Sequence, residues 1–300
     1  MPVMRSILIT CLSIGLITNV TSNHAADSAQ ALAFSLVEKY AQLADAAYQS
    51  KPKILELSAA QAYTLTHYGN IPSVKVSYFL ATIDAEKTHI ISVRGTSNVA
   101  NAFVDIDLQL VENKHAGVRL HRGFAQAAEG IYQEIRPQLN RDYKISTTGH
   151  SLGGAVALIL AMYLDIDNFN LERVVTFGQP KVTNIPGAKK FNHLNVSRIV
   201  TPRDLVPLSP PFDPVDINNL DIYWHLGTEI VLLPDTEYSV LQGLDSMLRA
   251  TKFIGKPINE ENLKYHEMAR YLDLIGKKIN KATLIPYKND FDFFGWFGNK

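Results

Sequence analysis

The sequence contains almost no cysteine. Cys11 is the only one in 300 residues, and it lies in an apolar stretch near the N-terminus. If that stretch is removed, the remaining chain has no thiol, which excludes disulfides and thiolate metal sites. A lack of cysteine is nevertheless compatible with an oxidising compartment.

Neither sign of charge is in excess, because Lys plus Arg and Asp plus Glu each number 29. Proteins that bind nucleic acid through its phosphates carry a basic balance or a basic patch, so this composition offers no case for a nucleic-acid partner. Hydrophobic residues make up 46% and charged residues 19% of the chain. That balance is typical of a globular protein, and a neutral surface suits the approach to uncharged lipid.

Long hydrophobic runs are also scarce, and a short one lies near the start of the chain. Met1–Arg5 is a short basic segment, and Ser6–Val20 is apolar but short for a stable membrane span. Small residues follow, which predicts a signal peptide over residues 1–26 that is cleaved after Ser22 or near residues 25–26. We therefore expect an exported protein, periplasmic or extracellular, with an uncleaved anchor as the alternative.

Beyond the signal, strand-like and helix-like segments alternate along the chain. This alternation predicts an α/β fold with a mostly parallel central sheet covered by helices on both faces. No repeat or linker divides the chain, so we expect one domain over residues 27–300. The predicted helices are Ser28–Gln49, Gly123–Leu139 and Gly153–Leu164, and the predicted strands are Val74–Ile83, Thr88–Val93, Tyr143–Thr148, Arg173–Phe177, Ser197–Val200 and Glu229–Leu233.

One motif carries nucleophilic chemistry. The segment Gly149-His150-Ser151-Leu152-Gly153 fits Gly-x-Ser-x-Gly, the nucleophile elbow. The serine of this motif lies on a sharp turn between a strand and a helix, where larger side chains two residues away would collide with the backbone. A predicted strand and an Ala/Leu-rich helix flank it as required. We predict Ser151 as nucleophile and the Leu152 N–H as an oxyanion donor, with an ordinary glycine-rich turn as the alternative.

The general base should be a histidine far along the chain, because the order in this fold is Ser, then acid, then His. His225 and His266 both meet that condition. His225 runs into an apolar strand, which favours a structural role. His266 follows the last predicted strand, where a loop or a helix start can present it. We therefore predict His266 as the base and keep His225 as the alternative.

Asp204 is the predicted acid of the site. It lies on the loop leaving the predicted strand Ser197–Val200, at the carboxyl edge of the sheet where sites in open α/β folds are built. Beside an imidazole it would fix the tautomer and stabilise the imidazolium. The alternative is a solvated loop aspartate. The other carboxylates considered are Asp165, Asp167, Asp213, Asp216, Asp221, Asp235 and Asp245.

Five short motifs occur in an order that resembles one known family. As a set they are similar to the class 3, fungal-type triacylglycerol lipases of the α/β-hydrolase superfamily, and the resemblance covers roughly residues 75–275. The motifs are VRGTS at 93–97, HRGF at 121–124, TGHSLGG at 148–154, TFGQPKV at 176–182 and RDLVP at 203–207.

The resemblance implies a serine carboxylic-ester hydrolase that acts on acylglycerols through an acyl-enzyme. It implies Ser151, Asp204 and His266 as the catalytic triad, with no metal and no cofactor. Thr96, the residue after Arg-Gly, is implied as an oxyanion-hole residue beside Leu152. The expected partners are a lipid or other ester and, transiently, a lipid interface. Phospholipase A, short-chain or aromatic-acid esterase, lipid acyltransferase and non-catalytic lipid-binding protein remain as alternatives.

The same resemblance suggests an amphipathic lid helix after Thr96. Its apolar residues at helical spacing are Val99, Ala102, Phe103 and Ile106. Ala102 stands where the family usually has Trp, and this departure argues against strong interfacial activation because Trp anchors well at lipid–water boundaries. The alternative is a surface helix that covers the core.

Other conspicuous residues receive structural interpretations. His121 belongs to the HxGF turn of the family and is not expected in the active site. A calcium loop is not predicted at the Asp/Ile alternations, because the glycine and the 12-residue loop pattern are absent. The C-terminal tail is rich in aromatics and is expected to dock on the domain or on a partner, with membrane contact as an alternative. The residues concerned are Asp105, Asp107, Asp165 and Asp167 in the alternations, and Phe291, Phe293, Phe294, Trp296 and Phe297 in the tail.

Overall fold

The computed structural model describes residues 33–60, 62–96, 109–210, 222–251 and 260–287. The predicted signal peptide, the predicted lid helix and the aromatic tail lie outside these residues. The described residues belong to one compact unit that begins at Ala33, and the single domain over 27–300 stays a prediction. Among the described helices, none is both long enough and apolar enough to cross a membrane.

Five parallel strands form the centre of the main sheet. In spatial order they are β3 (Thr88–Val93), β6 (Lys144–His150), β7 (Leu171–Phe177), β9 (Val196–Val200) and β11 (Thr228–Leu232). Parallel strands are buried on both faces and therefore appear in the sequence as nearly continuous apolar runs. Each of the five overlaps a predicted strand, which confirms the mostly parallel sheet.

Shorter or antiparallel strands extend this sheet at both sides to nine strands in the described part of the chain. β1 (Thr64–Ile71) and β2 (Val76–Ile83) pair antiparallel beside β3. β12 (Glu237–Leu241) is antiparallel to β11, and β13 (Thr283–Leu284) lies parallel beside β12. The sequence did not predict β1, β12 or β13, because polar residues interrupt the first two and the third is too short for a pattern.

The helices agree with the sequence where their apolar spacing is longest. α1 (Phe34–Ala46), α3 (Arg122–Ile135) and α4 (Leu152–Ile166) overlap the three predicted helices, and α3 gives way to a 3₁₀ turn at Arg136–Gln138, where Pro137 lacks an N–H to continue it. In chain order the described helices are α1 (Phe34–Ala46), α2 (Lys51–Ala60), α3 (Arg122–Ile135), α4 (Leu152–Ile166), α5 (Ile185–Lys190), α6 (Gly243–Thr251), α7 (Glu260–His266) and α8 (Met268–Gly276).

Two adjacent residues of β6 show that helices cover both faces of the sheet. The Thr147 hydroxyl donates to the Ala157 carbonyl in α4, while the Thr148 hydroxyl donates to the Tyr40 carbonyl in α1. Successive side chains of a strand point to opposite faces, so α1 and α4 lie on opposite sides of β6. α3 packs on α4, and α8 packs on α1. The predicted two-sided covering is therefore confirmed.

A second, four-stranded sheet was not predicted. Its order is β10 (Tyr223–Trp224), β8 (Thr183–Asn184), β5 (Val118–His121), β4 (Leu110–Asn113). β5 leads into α3, and His121 caps that helix by accepting a hydrogen bond from the Phe124 N–H at its Nδ1. The His121 ring also stacks on the Phe124 ring, with centroids 3.8 Å apart. These contacts agree with the structural role expected for the HxGF turn.

Candidate active site

The predicted site residues follow the carboxyl ends of neighbouring parallel strands. Thr96 lies three residues after β3, Ser151 follows β6 directly, and Asp204 lies four residues after β9. Because parallel strands end at the same edge of a sheet, this topology brings the three loops together. His266 reaches the edge from elsewhere, as the last residue of α7.

Ser151 has the strained backbone of an elbow. It is buried, with φ 59° and ψ −132°, a region that L-residues rarely occupy and that costs on the order of 1–3 kcal/mol. Its N–H donates to the Phe177 carbonyl over 2.8 Å. A Cβ built on Gly153 would lie 2.2 Å from the Val93 carbonyl oxygen. The glycine of the motif therefore allows the helix start to pass against the end of β3.

The surroundings of Ser151 suit a developing negative charge. α4 begins at Leu152, and the first N–H groups of an α-helix have no intrahelical acceptor. On the other side, a Cβ built on Gly95 would lie 3.1 Å from the Ser151 Cβ, so the turn carrying Gly95 and the half-buried Thr96 runs beside the serine. Backbone and side-chain donors from these two segments can converge on a negatively charged oxygen that forms beside Ser151 Oγ.

Asp204 and His266 form a buried pair. The Asp204 Oδ2 lies 2.7 Å from His266 Nδ1, and both side chains are almost completely buried. The Val206 N–H donates to Asp204 Oδ1 over 2.9 Å, which fixes the carboxylate. A carboxylate only accepts hydrogen bonds, so the proton of a neutral His266 lies on Nδ1 and Nε2 presents a lone pair. That is the tautomer a general base requires.

One atom of the predicted nucleophile and one of the predicted base are buried and unpaired. Ser151 Oγ and His266 Nε2 have no hydrogen-bond partner within the described residues. Buried polar atoms are normally paired, so two orphans in the predicted nucleophile and base mark a site that a reacting group would complete. Catalytic hydrogen bonds are often long or misaligned without substrate and tighten in the reacting complex.

Tyr271 is a site residue that the sequence analysis missed. Its hydroxyl donates to Asp204 Oδ2 over 2.6 Å, so this oxygen receives both Tyr271 and His266. Burial, and then the charge of Asp204, raises the pKa of the Tyr271 hydroxyl well above its usual value, which keeps it a donor. No motif spacing pointed to it. The only available signal is a hydroxyl on the otherwise apolar face of α8, five residues after His266.

The alternative base, His225, lies in a different environment. Its Nε2 is 2.6 Å from the Pro207 carbonyl oxygen, an atom that only accepts, so this nitrogen donates. Burial first, and then the charges of Arg198 and Lys181, lower the pKa of His225 well below its usual value. The structure therefore brings His266, and not His225, to Asp204.

Two of the other candidate carboxylates have partners away from this site. Asp165 Oδ2 lies 3.0 Å from His193 Nε2, and Asp167 Oδ1 lies 3.2 Å from His115 Nε2. The described residues contain no group of three or more His, Cys, Asp or Glu side chains that could hold a metal ion. The acid candidates Asp213, Asp216 and Asp221, and the Asp105 and Asp107 of the Asp/Ile alternation, lie outside the described residues.

Comparison with known families and proteins gives matches over part of the chain. Residues 90–213 match the family described as "Lipase (class 3)". The "Secreted mono- and diacylglycerol lipase 1" of Fusarium solani is 36% identical over 116 residues, which are 36% of this chain and 34% of the relative. The chloroplastic phospholipase A1 PLIP2 of Arabidopsis thaliana is 28% identical over 146 residues, 43% of this chain and 20% of the relative. The chain thus spans about a third or less of the length of these two relatives.

Solved structures match over a larger share. Lipase II from Rhizopus niveus superposes with a TM-score of 0.58 at 25% identity, over 68% of this chain and 82% of that one. A second solved structure is described by the words "A serine protease triad forms the catalytic centre of a triacylglycerol lipase". It gives a TM-score of 0.57 at 26% identity, over 67% of this chain and 80% of that one. The fold is therefore that of the α/β-hydrolases.

Proposed function

We propose that this chain, whose residues 90–213 match the class 3 lipase family, is a member of that family and a serine carboxylic-ester hydrolase whose substrates are acylglycerols. One observation carries the proposal. Asp204 holds His266 through Nδ1, while His266 Nε2 and Ser151 Oγ are both buried and unpaired at the edge of the sheet. The name of the Fusarium relative, a mono- and diacylglycerol lipase, supports the choice of acylglycerols.

The proposed reaction is acyl transfer in two steps. His266 Nε2 takes the proton of Ser151 Oγ, which attacks the ester carbonyl carbon. The tetrahedral intermediate collapses, and the leaving alcohol takes the proton from His266. His266 then deprotonates a water molecule, which attacks the acyl carbon. The bond between that carbon and Ser151 Oγ breaks, Oγ takes the proton back from His266, and the carboxylic acid is released. Asp204 stabilises the imidazolium that forms in each half.

Two backbone N–H groups are proposed to hold the oxyanion, those of Leu152 and Thr96. The Leu152 N–H lies at the start of α4, where the helix dipole also favours negative charge. Thr96 follows Gly95, whose backbone lies against Ser151. The Thr96 hydroxyl is proposed as a further donor. These donors need no reorganisation during the reaction, which is why such preorganised sites lower barriers.

A phospholipase A is the second candidate. The similarity to a protein named phospholipase A1 supports it, because both activities use the same triad chemistry on different glycerolipids. An acyltransferase would share the acyl-enzyme and differ in using an acceptor other than water. A short-chain esterase would differ in the pocket that receives the acyl chain.

The experiment combines a chain-length series of p-nitrophenyl esters with emulsified di- and triacylglycerol and phosphatidylcholine, using Ser151→Ala as the matched control. We expect wild-type hydrolysis of the esters and the acylglycerols, lost in the variant. Faster release of fatty acid from phosphatidylcholine than from acylglycerol would favour the phospholipase. Failure of wild type to react with a fluorophosphonate would instead indicate a non-catalytic binding protein.

Export is proposed from the N-terminal pattern, and the word "Secreted" in the name of the Fusarium relative supports it. Mass spectrometry of the protein recovered outside the cytoplasm should find a new N-terminus after Ser22 or near residues 25–26. An intact Met1 on that material would contradict cleavage and favour the anchor.

A further inference from the structure

His150 occupies the variable position of the elbow motif, and both of its ring nitrogens are bonded. Nδ1 lies 2.8 Å from the hydroxyl of Tyr48, two residues after α1, and Nε2 lies 2.7 Å from the backbone carbonyl oxygen of His266. The rings of His150 and His266 are tilted against each other with centroids 4.4 Å apart. The residue before the nucleophile thus contacts the backbone of the base.

The directions of these hydrogen bonds follow from the acceptor at one end. The His266 carbonyl only accepts, so His150 Nε2 carries the proton. A neutral His150 then has a lone pair on Nδ1, which accepts from the Tyr48 O–H. Burial first, and then the neighbouring His266, lowers the pKa of His150 well below its usual value, which keeps the ring neutral. Burial likewise raises the pKa of the Tyr48 hydroxyl.

Tyr48 continues the chain of contacts to the other side of the site. Its hydroxyl lies against the backbone of Gly95, the residue before Thr96. The approach is close, because a Cβ built on Gly95 would lie 2.4 Å from the Tyr48 Oη and 2.6 Å from the His150 carbonyl oxygen. One continuous path therefore runs from the Gly95 backbone, packed against the Tyr48 hydroxyl, through the hydrogen bonds of Tyr48 and His150 to the His266 carbonyl.

We propose that Tyr48 and His150 are positioning residues that hold the Gly95–Thr96 turn and His266 at a fixed separation on either side of Ser151. This inference rests on the proposed function, since it assigns the two ends to the oxyanion hole and to the base. Neither side chain exchanges protons with the substrate. Their effect is geometric, because displacements of an oxyanion donor or a base by about 1 Å can cost on the order of a hundredfold in rate.

Substitutions at position 150 can remove the two bonds separately. Gln is long enough to place an amide N–H near the former Nε2 and donate to the His266 carbonyl. Asn places an amide oxygen near the former Nδ1 and can accept from Tyr48. Leu removes both bonds while filling similar volume, and Tyr48→Phe removes the hydroxyl alone.

The matched control is His89, a second buried histidine with both nitrogens bonded. Its Nδ1 lies 2.9 Å from the Thr82 hydroxyl oxygen, and its Nε2 accepts the Asn140 N–H over 3.0 Å. His89 lies near the start of β3, whereas Gly95 follows the end of the same strand. His89→Leu should therefore lower Tm and leave kcat unchanged.

The experiment measures kcat and KM on a soluble p-nitrophenyl ester, the rate of Ser151 phosphonylation by a fluorophosphonate, and Tm. For His150→Leu we expect kcat and the phosphonylation rate to fall by about ten- to a hundredfold with little change in KM, because positioning acts on the transition state. His150→Gln, His150→Asn and Tyr48→Phe should each lose less, so that restoring either bond rescues part of the rate.

Each outcome separates this inference from the function on which it rests. If wild type neither hydrolyses esters nor reacts with the fluorophosphonate, the proposed function fails. If wild type reacts but folded His150→Leu and Tyr48→Phe both keep wild-type kcat and phosphonylation rates, the positioning role is wrong. Should His150→Leu not fold, Tyr48→Phe and the two amide variants decide, and a raised KM at constant kcat in them would also overturn the inference.

Discussion

Asp204 and Glu229 are both buried carboxylates, but they have different kinds of partner. Asp204 lies on the loop after β9, and Glu229 lies on the neighbouring strand β11. Asp204 receives His266 Nδ1, the Tyr271 hydroxyl and the Val206 N–H, which are all uncharged donors when His266 is neutral. Glu229 accepts from two guanidinium groups and a hydroxyl. Both side chains are almost completely buried. The difference is whether the balancing positive charge is permanent.

We name the second group the Glu229 cluster; it consists of Arg198, Glu229, Ser246 and Arg249. Burial alone raises the pKa of Glu229, but Arg249, Arg198 and the hydrogen bonds outweigh burial and lower it. Arg198 Nη1 lies 3.1 Å from Glu229 Oε2, and Arg198 Nη2 donates to the Ser246 hydroxyl over 2.9 Å. A carboxylate held by permanent cations has its charge balanced at all times in the folded protein. A carboxylate held by neutral donors is available to stabilise a charge that appears only during a reaction.

The largest expected effect tests whether that charge arises at all. Ser151→Ala should reduce ester hydrolysis on the order of a thousandfold or more, since without Oγ no proton passes to His266. Stability should change little, because Oγ has no hydrogen-bond partner among the described residues. Steady-state kinetics and thermal unfolding of the purified variant check both statements. Unchanged turnover would show that Ser151 is not the nucleophile, and the proposed difference between Asp204 and Glu229 would then have no basis.

The two candidate histidines come next. His266 contacts Asp204, whereas His225 lies near the positive charges of Arg198 and Lys181. His266→Ala should be as damaging as the serine change, whereas His225→Ala should mainly lower Tm, since only one histidine can be the general base. Both variants are assayed at equal folded concentration. A tolerated His266→Ala beside an inactive, folded His225→Ala would reverse the assignment.

Carboxamide substitutions test the two acids directly. Asp204→Asn should lower kcat by on the order of a thousandfold or more with a modest change in Tm, because it removes the negative charge that favours the imidazolium. Glu229→Gln should cost about 3–5 kcal/mol in the free energy of unfolding, because it leaves two buried guanidiniums uncompensated, and should preserve kcat per folded molecule. Urea unfolding and active-site titration separate the two quantities. Equal effects on kcat would remove the distinction between the two acids.

Thr96 gives a smaller effect, because its backbone N–H survives substitution. Thr96→Ser should be nearly silent, whereas Thr96→Val should lower kcat by about ten- to a thousandfold with little change in KM, since the hydroxyl bond matters chiefly in the transition state. The pair is measured on one soluble ester. Wild-type kcat in the Val variant would exclude the hydroxyl from the oxyanion hole, and a raised KM alone would assign it to substrate binding.

The smallest effect is a pH dependence with two separate origins. Neutral, buried His150 and His225 have lowered pKa values, so the unfolded chain binds their protons first and stability falls as pH drops below about 6.5. Each contributes a slope of about 1.4 kcal/mol per pH unit. Glu229 has a lowered pKa, so its contribution is present above about pH 4.5 and is lost only below it.

Urea unfolding as a function of pH checks this order of events. His225→Gln, which keeps a donor for the Pro207 carbonyl, should reduce the slope between pH 6.5 and about pH 5.5. Glu229→Gln should change the slope only at lower pH. An unaltered upper slope in His225→Gln would show that this histidine is not held neutral in the folded protein.

The strand assignments show how far sequence patterns reach. Apolar runs such as Thr88–Val93 and Ser197–Val200 identified the parallel centre because such strands are buried on both faces. β13 and the four-stranded sheet contain segments of two residues, Thr283–Leu284, Thr183–Asn184 and Tyr223–Trp224, which are too short to carry a period. Missing β13 also made His266 appear to follow the last strand, whereas β13 follows it.

What the sequence determined by itself is the local chemistry: the elbow around Ser151, and Asp204 on a loop after a strand, both of which depend on contiguous residues. Only the tertiary structure decided that His266 rather than His225 meets Asp204, that Tyr271 shares the same carboxylate oxygen, and that Tyr48 reaches His150. These contacts join residues 62, 67 and 102 positions apart. Contacts of that kind depend on how helices from both ends of the chain pack on one sheet edge, and no spacing within a motif encodes that packing.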